Sequence, residues 1–353
     1  MSKAAELAAL IANVNKGSSL ANKNFIINGA MNVAQRGTSE TGIGASSGYF
    51  TVDRFACFQA GTAGRVTMTQ ESDGPAGFAN CMKFACTTAD TSVAAGEQFG
   101  FYTGLEGQDV QRLEKGTSGA KPVTVSFWVK GNASATYVLE LYDWDNTRNI
   151  AQTFAVTTSW NRIELTFAGD TSGAFNDDNG GSLGLYFHLH AGSNYTSGTL
   201  NTSWGSITAA NRVVGGSSIF DSTDRTFFMT GLQMEIGEKA TEFEHEPYDA
   251  TLKKCLRYHY EYTTSGLSDY PAYFSTPYSP ASQDGSLPNS SAILTVVHPV
   301  PMRAAPSHPA TTVVGSTSLS RDTSTVYHTV YQMGSSTSNE AQSISAATIT
   351  AEL

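Results

Sequence analysis

Tyr142, Asp143, Trp144 and Asp145 stand together in the stretch LYDWDN, residues 141–146. A flat ring flanked by carboxylate and amide groups is chemistry suited to holding a sugar. The ring stacks on the C–H face, and the polar groups bond the hydroxyls. NYTSGTLNTSW, residues 194–204, offers a second set in Tyr195 and Trp204, and the proline-rich stretch beyond residue 270 a third in Tyr273 and Tyr278. For Trp144 the competing role is to cap the end of a hydrophobic core. The expectation is that the Trp144 ring belongs to the core while the polar groups beside it make the contact.

Other groupings could do different chemistry. LYFHLH, residues 185–190, puts His188 and His190 on one strand face, with Leu185, Phe187 and Leu189 on the other. A His-x-His pair can grip a metal. With no third ligand identifiable nearby, solvated or hydrogen-bonded histidines on a binding or interface face are expected. GDTSGAFNDDNGG, residues 169–181, gathers Asp170, Asp177, Asp178 and Asn179 in a glycine-rich loop. That donor set suits calcium, but the EF-hand spacing is absent, so an acidic turn is expected, with structural calcium the alternative and no other cofactor. GASSG, residues 44–48, spells G-x-S-x-G, yet a loop precedes it and a strand follows, the reverse of a nucleophile elbow. No H-E-x-x-H, P-loop or dinucleotide fingerprint occurs. Asp143 and Asp145 could share a face, but sequence places no partner at a hydrolytic separation. No enzymatic activity is expected.

These residues need a scaffold. The 353 residues are enough for about two domains and a core that needs no staples. Only 15% are charged, 33 are glycine, and serine and threonine are frequent, a composition that fits an extended all-β surface protein better than a metabolic enzyme. A net charge of −10 with no run of lysine or arginine argues against nucleic acid. Cys57, Cys81, Cys86 and Cys255 show neither metal nor redox spacing, and Cys57 and Cys81 lie in apolar runs that predict burial. The sequence shows no signal-peptide pattern and no apolar stretch of membrane-spanning length. Synthesis in a cytoplasm with free thiols is expected, without membrane insertion.

Leu7, Leu10, Ile11 and Val14 follow the spacing of one helical stripe, with Ser2 as N-cap and Gly17 at the end. About 13 helical residues are marginal alone, so the stripe must pack. It covers its own domain or pairs with copies from other chains, and the Gly-Ser-Ser linker behind it favours pairing. From Asn24 to about Pro247 the runs are short, aromatic, β-branched and mostly alternating, among them FTVDRFACF, EQFGFYT, VTVSFWVKG, TYVLELYDW and RTFFMTGLQMEIG. In VTVSFWVKG, Val123, Val125, Phe127 and Val129 take one face. Such runs predict an all-β chain: a short N-terminal helix and linker (1–22), a jelly-roll β-sandwich (23–250) and a smaller β domain (251–353). Leu252, Cys255 and Leu256 predict a helical turn or two at the joint. Eight of 11 prolines follow between Pro271 and Pro309, and ILTVV, TTVVG and STVYHTVYQM supply short strands.

Three segments carry a resemblance. KNFIINGAMNVAQRGT (23–38) followed by GYFTVDRF resembles the opening strands of a recurrent bacteriophage structural module, N-x-x-x-N-G-x-(M/F)-x-(V/I)-x-Q-R-G and then Y-(T/F)-x-D-R-(W/F). GLQMEIGEKATEFEHEPYDATLKKCLRYHYEY is similar to its closing signature, and HPVPMRAAPS (298–307) to the F-P-V-x-M-R-A-x-P segment of the small β domain that follows. Phe55 stands where tryptophan is frequent, and residues 60–230 match no signature of the module. The resemblance implies a tail-fibre or related virion appendage protein, with a jelly roll similar to carbohydrate-binding modules and commonly a homotrimer.

Within that frame Asn28, Gly29, Gln35, Arg36, Asp53 and Arg54 are expected to be structural. Gly29 would permit a bulge or turn, and Asp53 with Arg54 would form a partly buried ion pair that fixes register. The expected function is a virion-borne adhesin contacting host surface polysaccharide, with other virion proteins as partners. A capsid- or tail-decorating fibre of mainly structural role is the alternative, and a polysaccharide depolymerase a third.

Overall fold

The computed structural model describes Lys3 and residues 22–263, 273–275, 292–314, 319–333 and 343–353. The stripe of Leu7, Leu10, Ile11 and Val14 lies outside these residues, as does Tyr278. Chain contacts define two compact units, Met1–Asn32 with Gly37–Pro247, and Val33–Arg36 with Tyr248–Leu353.

The first unit is a jelly-roll sandwich of two antiparallel sheets. In chain order its strands are β1 (Ser39–Ile43), β2 (Gly48–Tyr49), β3 (Ala56–Ala60), β4 (Arg65–Glu71), β5 (Cys81–Thr88), β6 (Gln98–Glu106) and β7 (Val123–Gly131). They continue with β8 (Ala135–Asp143), β9 (Arg148–Val156), β10 (Asn161–Phe167), β11 (Gly181–Ala191), β12 (Gly205–Ser206) and β13 (Thr226–Ile236). A six-stranded sheet runs β1-β4-β5-β13-β7-β10, and a seven-stranded sheet runs β12-β9-β8-β11-β6-β3-β2. A short helix α1 (Gly107–Val110) follows β6.

Alternation makes these segments strands. Val123, Val125, Phe127 and Val129 of β7 all lie in the core, as do Leu183, Leu185, Phe187 and Leu189 of β11. The rings interlock: Phe101 stacks on Phe187 with centroids 4.7 Å apart, and Phe127 meets Phe187 edge-on at 5.3 Å. Each such side chain stabilises the fold by about 1.5–3 kcal/mol on burial. The four cysteines are free and buried, and burial pushes the Cys57 and Cys81 thiols up.

The opening segments differ from the strands expected of them. Residues 22–38 form no strand, because Asn28 (φ 61°) and Met31 (φ 57°) are left-handed and turn the chain. FTVDRFACF is split in the same way: Arg54 has φ 74°, and β3 starts only at Ala56. The two segments latch together instead. Buried Asn28 donates its Nδ2 to the Asp53 carbonyl at 3.0 Å, and Arg54, 1% exposed, donates Nη2 to the Gly104 carbonyl at 2.8 Å. Gly29 serves close approach: a Cβ there would sit 2.0 Å from the Leu232 carbonyl oxygen, and Leu232 N donates to the Gly29 carbonyl at 2.9 Å.

In the second unit, two very short helices of the first being counted as α1 and α2 (Ser193–Thr196), helix α3 spans Tyr248–Leu256 and buries Cys255. β14 (His259–Thr263), β20 (Ser343–Thr350) and β17 (Ser307–Val314) form one sheet in that order. β15 (Tyr273–Ser275), β16 (Ala292–Val297), β19 (His328–Met333) and β18 (Leu319–Ser324) form another. STVYHTVYQM is not one strand, since Thr325 caps a turn by accepting the amides of Tyr327 and His328. The Gln-Arg of the opening motif belongs here: Gln35 Nε2 donates to the His259 carbonyl at 2.8 Å, and Arg36 pairs with Glu352 at 3.0 Å.

Gly29→Ala is expected to destabilise the sandwich by about 3 kcal/mol, because a methyl group cannot share the space of the Leu232 carbonyl. Chemical denaturation of the purified variant checks this.

Candidate functional site

The strands that fill the core with one face must present the other face elsewhere, and on the seven-stranded sheet that outer face is aromatic. Three adjacent strands align in rows. Gly104, Gly184 and Tyr142 are paired across β6, β11 and β8; then Tyr102, Tyr186 and Glu140; then Gly100, His188 and Val138. Phe58 of β3 sits beside Gly100. Tyr102 stacks on Tyr186 at 4.8 Å, while Phe58 meets Tyr186 edge-on at 5.3 Å and Tyr142 tilts towards it at 5.7 Å. Trp144, in the turn after β8, folds back over Gly184, where a Cβ would lie 2.7 Å from the indole. Its Nε1 donates to the Tyr186 hydroxyl at 3.2 Å, and its ring stands edge-on to Tyr102 at 6.0 Å. All five rings are half-buried and none belongs to the core cluster.

The segment 192–218 covers the other half of this face. Tyr195 of α2, Leu200 and Val213 pack on Val138 and Ala151. Under the cover lies Glu140, wholly buried, which accepts Arg212 through Nε at 2.9 Å and Nη2 at 2.7 Å, Asn149 Nδ2 at 2.6 Å and His188 Nε2 at 2.8 Å. Burial opposes the Glu140 charge, but the His188 and Arg212 bonds outweigh it and hold the carboxyl down at about 2. Burial lowers the His188 pKa, leaving a neutral ring that donates to Glu140. Arg212 supplies the compensating charge, and its guanidinium also lies 5.3 Å from the centre of the Tyr142 ring. Burial raises the phenol of Tyr142 and takes that of Tyr186 up to about 12, so both remain hydrogen-bonding hydroxyls at neutral pH. The net result is a ring surface with cancelled charge beneath it.

The sequence candidates fall in different places. Tyr142 and Trp144 reach the ring surface, so Trp144 is not core as expected. Asp143 is wholly buried, 2.6 Å from Lys115 Nζ, and no ligand can reach it. Asp145 binds the Asn176 amide and side chain. Trp204 donates to the Ala168 carbonyl at 2.7 Å and packs against the core, apart from Tyr195, which is part of the cover. Tyr273 begins β15 of the second unit. Asp170 is held by Lys115 at 3.2 Å and by Arg148 at 2.7 Å, while Asp177 and Asp178 are exposed and Asp178 caps the Gly180 amide. His188 and His190 do not keep the simple alternation expected of them: a register shift separates them, so that His188 stands opposite Gly100 and His190 opposite the core residue Phe99, and both are buried rather than solvated. Phe58, Tyr102, Tyr186 and Arg212 were missed. For Tyr102 and Tyr186 the signal was present, since EQFGFYT and LYFHLH carry aromatic residues at positions between core residues, where a solvated face would carry threonine or lysine.

No protein-family model matches the chain, and no curated protein matches it. Solved structures give limited similarity. The family 11 carbohydrate-binding module of a Clostridium thermocellum cellulosomal cellulase is 15% identical, with 54% of this chain and 91% of that one covered and a TM-score of 0.29. The CBM22-1 xylan-binding domain from Paenibacillus barcinonensis is 12% identical, with 62% and 100% covered and a TM-score of 0.30. The enzymatically active domain of tailspike protein 4 of bacteriophage CBA120 is 13% identical, with 61% of this chain but only 22% of that one covered and a TM-score of 0.33.

Two expectations follow from the buried charges. Glu140 and His188 both resist protonation when folded, whereas the unfolded chain takes up protons near 4.5 and 6.5. The sandwich therefore loses stability as pH falls below 6.5, and further from 4.5 towards about 2. Calorimetry from pH 7 to 2.5 should show a shallower loss below pH 4.5 in Glu140→Gln. Arg212→Met leaves Glu140 buried without its cation and should cost roughly 3–5 kcal/mol, partly recovered in the double variant with Glu140→Gln; equilibrium unfolding measures both.

Proposed function

We propose that the protein binds glycan on the open half of the outer face of the seven-stranded sheet, acting as a non-enzymatic, tail-fibre-type adhesin of a bacteriophage virion. One observation carries the binding reading: Phe58, Tyr102, Tyr142, Trp144 and Tyr186 assemble half-exposed on a single sheet surface. Such rings offer stacking surfaces for the C–H faces of pyranoses, and the phenols offer partners for their hydroxyls. The charge of Glu140 is cancelled by Arg212, and the chain is acidic overall at −10, so neutral glycans are favoured over acidic ones. The outer face of the other sheet also bears rings, Trp160 and Phe228, but Lys130 lies over both, at 5.1 and 4.7 Å.

The virion role rests on the likeness of residues 23–58, 231–262 and 298–307 to the phage structural module. Contact with host surface polysaccharide by three copies of the chain would raise a weak single-site affinity through avidity. A binding role without hydrolysis is supported by Glu140 and Asp143: each is buried and bound to a cation, unlike a pair that flanks a scissile bond.

Affinity electrophoresis against host envelope polysaccharides, with a glycan array of the purified protein, tests the reading. Trp144→Ala and Tyr102→Ala should each weaken binding by roughly tenfold, about 1.4 kcal/mol, while the fold persists. Trp160→Ala on the opposite sheet should bind as the parent does. Unchanged affinity in both ring-face variants would remove the site, and an array without hits would remove the glycan. Immunogold labelling of virions checks the placement on a tail fibre.

A further inference from the structure

His190 does not share the partners of His188. Its ring is wholly buried near the end of β11, and its Nδ1 is 2.8 Å from the Ser218 hydroxyl. Its Nε2 faces Glu97 Oε2 at 3.2 Å. Glu97 precedes β6 and Asp90 follows β5, so one connection between strands brings both carboxylates to the histidine. One ligand atom from each of the three residues lies within 4.8 Å of the others, and both carboxylates are 6% exposed.

We propose that Asp90, Glu97 and His190 bind one divalent cation of the zinc type.

Charge is the first argument. Asp90 accepts the Thr62 hydroxyl at 3.0 Å, the Ala63 amide at 2.8 Å and the Ser92 amide, and Glu97 meets His190. Among the described residues no lysine or arginine forms an ion pair with either carboxylate. Glu140, Asp143 and Asp170, buried in the same sandwich, each have one. Two buried carboxylates beside a single imidazole leave negative charge that a divalent cation would neutralise. Geometry is the second argument. Tetrahedral zinc with bonds of 2.0–2.2 Å separates neighbouring ligand atoms by about 3.4 Å, close to the 3.2 Å between His190 and Glu97. The outer contacts are the third. With an ion on Nε2, the Nδ1–H would donate to the Ser218 hydroxyl, the kind of outer hydrogen bond that orients a ligating imidazole. The hydroxyl and amides around Asp90 orient that carboxylate in the same manner. One imidazole with two carboxylates selects a borderline cation over calcium, which prefers oxygen ligands alone.

Such an ion would join the β5–β6 connection to β11. Through Ser218 it would also fasten the segment that carries Arg212 and covers half of the ring face.

The test uses the full chain, stripped with chelator and dialysed, with Zn²⁺ alone as the probe. Titration calorimetry should show one equivalent bound. At a hundredfold excess over Kd the melting temperature should rise by roughly 5–10 °C. Co²⁺ in its place should give the visible absorption of a four-coordinate site. Ca²⁺ should leave the melting temperature unchanged. Glu97→Gln keeps the shape of the side chain and should lose both the zinc shift and the Co²⁺ spectrum; if it does not fold, Asp90→Asn takes its place. A parent protein with no zinc shift, a shift retained in the folded variant, or an equal shift with Ca²⁺ would each overturn the proposal.

Discussion

Phe101 of β6 lies flat on Phe187 of β11, 4.7 Å between centroids and 5° between planes, and the two residues are register partners across the pair. Both faces of the seven-stranded sheet depend on that register. A strand alternates its side chains, so a slip of one residue would send Leu185 and Phe187 outwards and bring Tyr186 and His188 into the core. Core burial thus holds the outer aromatic surface in place. Tyr102 stacks on Tyr186 because Phe101 stacks on Phe187 one residue away in each strand.

Buried charge shapes the rest of the surface. At one place Glu140, His188, Asn149 and Arg212 tie the covering segment to the sheet. At another, Lys115 joins Asp143 to Asp170, which Arg148 grips in turn. Ions removed from water are tolerated only with close partners, so each cluster demands one arrangement of the loops that supply it. These clusters divide the outer face. Where segment 192–218 is anchored, Val138 and Ala151 disappear beneath it. Where it stops, the rings of Tyr102, Tyr142, Trp144 and Tyr186 stay half-open. The same connections explain why glycine recurs on this face: Gly184 leaves room for the indole of Trp144 to lie against the sheet.

Much of the architecture was legible in the residues. Val123, Val125, Phe127 and Val129 state their common face by spacing alone, and the core contains all four. The short helix around Leu252 and Cys255 was legible too, from its apolar spacing before a run of strands. The opening motif was less so. Its apolar residues have the composition of a strand, but Asn28, Met31 and Arg54 adopt left-handed backbone, and only the contacts with Asp53, Gly104 and Leu232 select that conformation.

The candidate site was legible as chemistry and not as a place. LYDWDN named two of the ring-face residues, yet nothing local distinguished Trp144, which faces outwards, from Asp143, which is sealed against Lys115. That distinction depends on a lysine 28 positions earlier in the chain. His190 likewise found Asp90 and Glu97 only when the β5–β6 connection came to rest beside β11. The sequence by itself determined which residues alternate and therefore the all-β sandwich, because a side-chain period of two is a local property of each strand. Only the tertiary structure decided which polar and aromatic groups meet, because those partners belong to strands distant in the chain and are brought together by sheet order and the closing of loops.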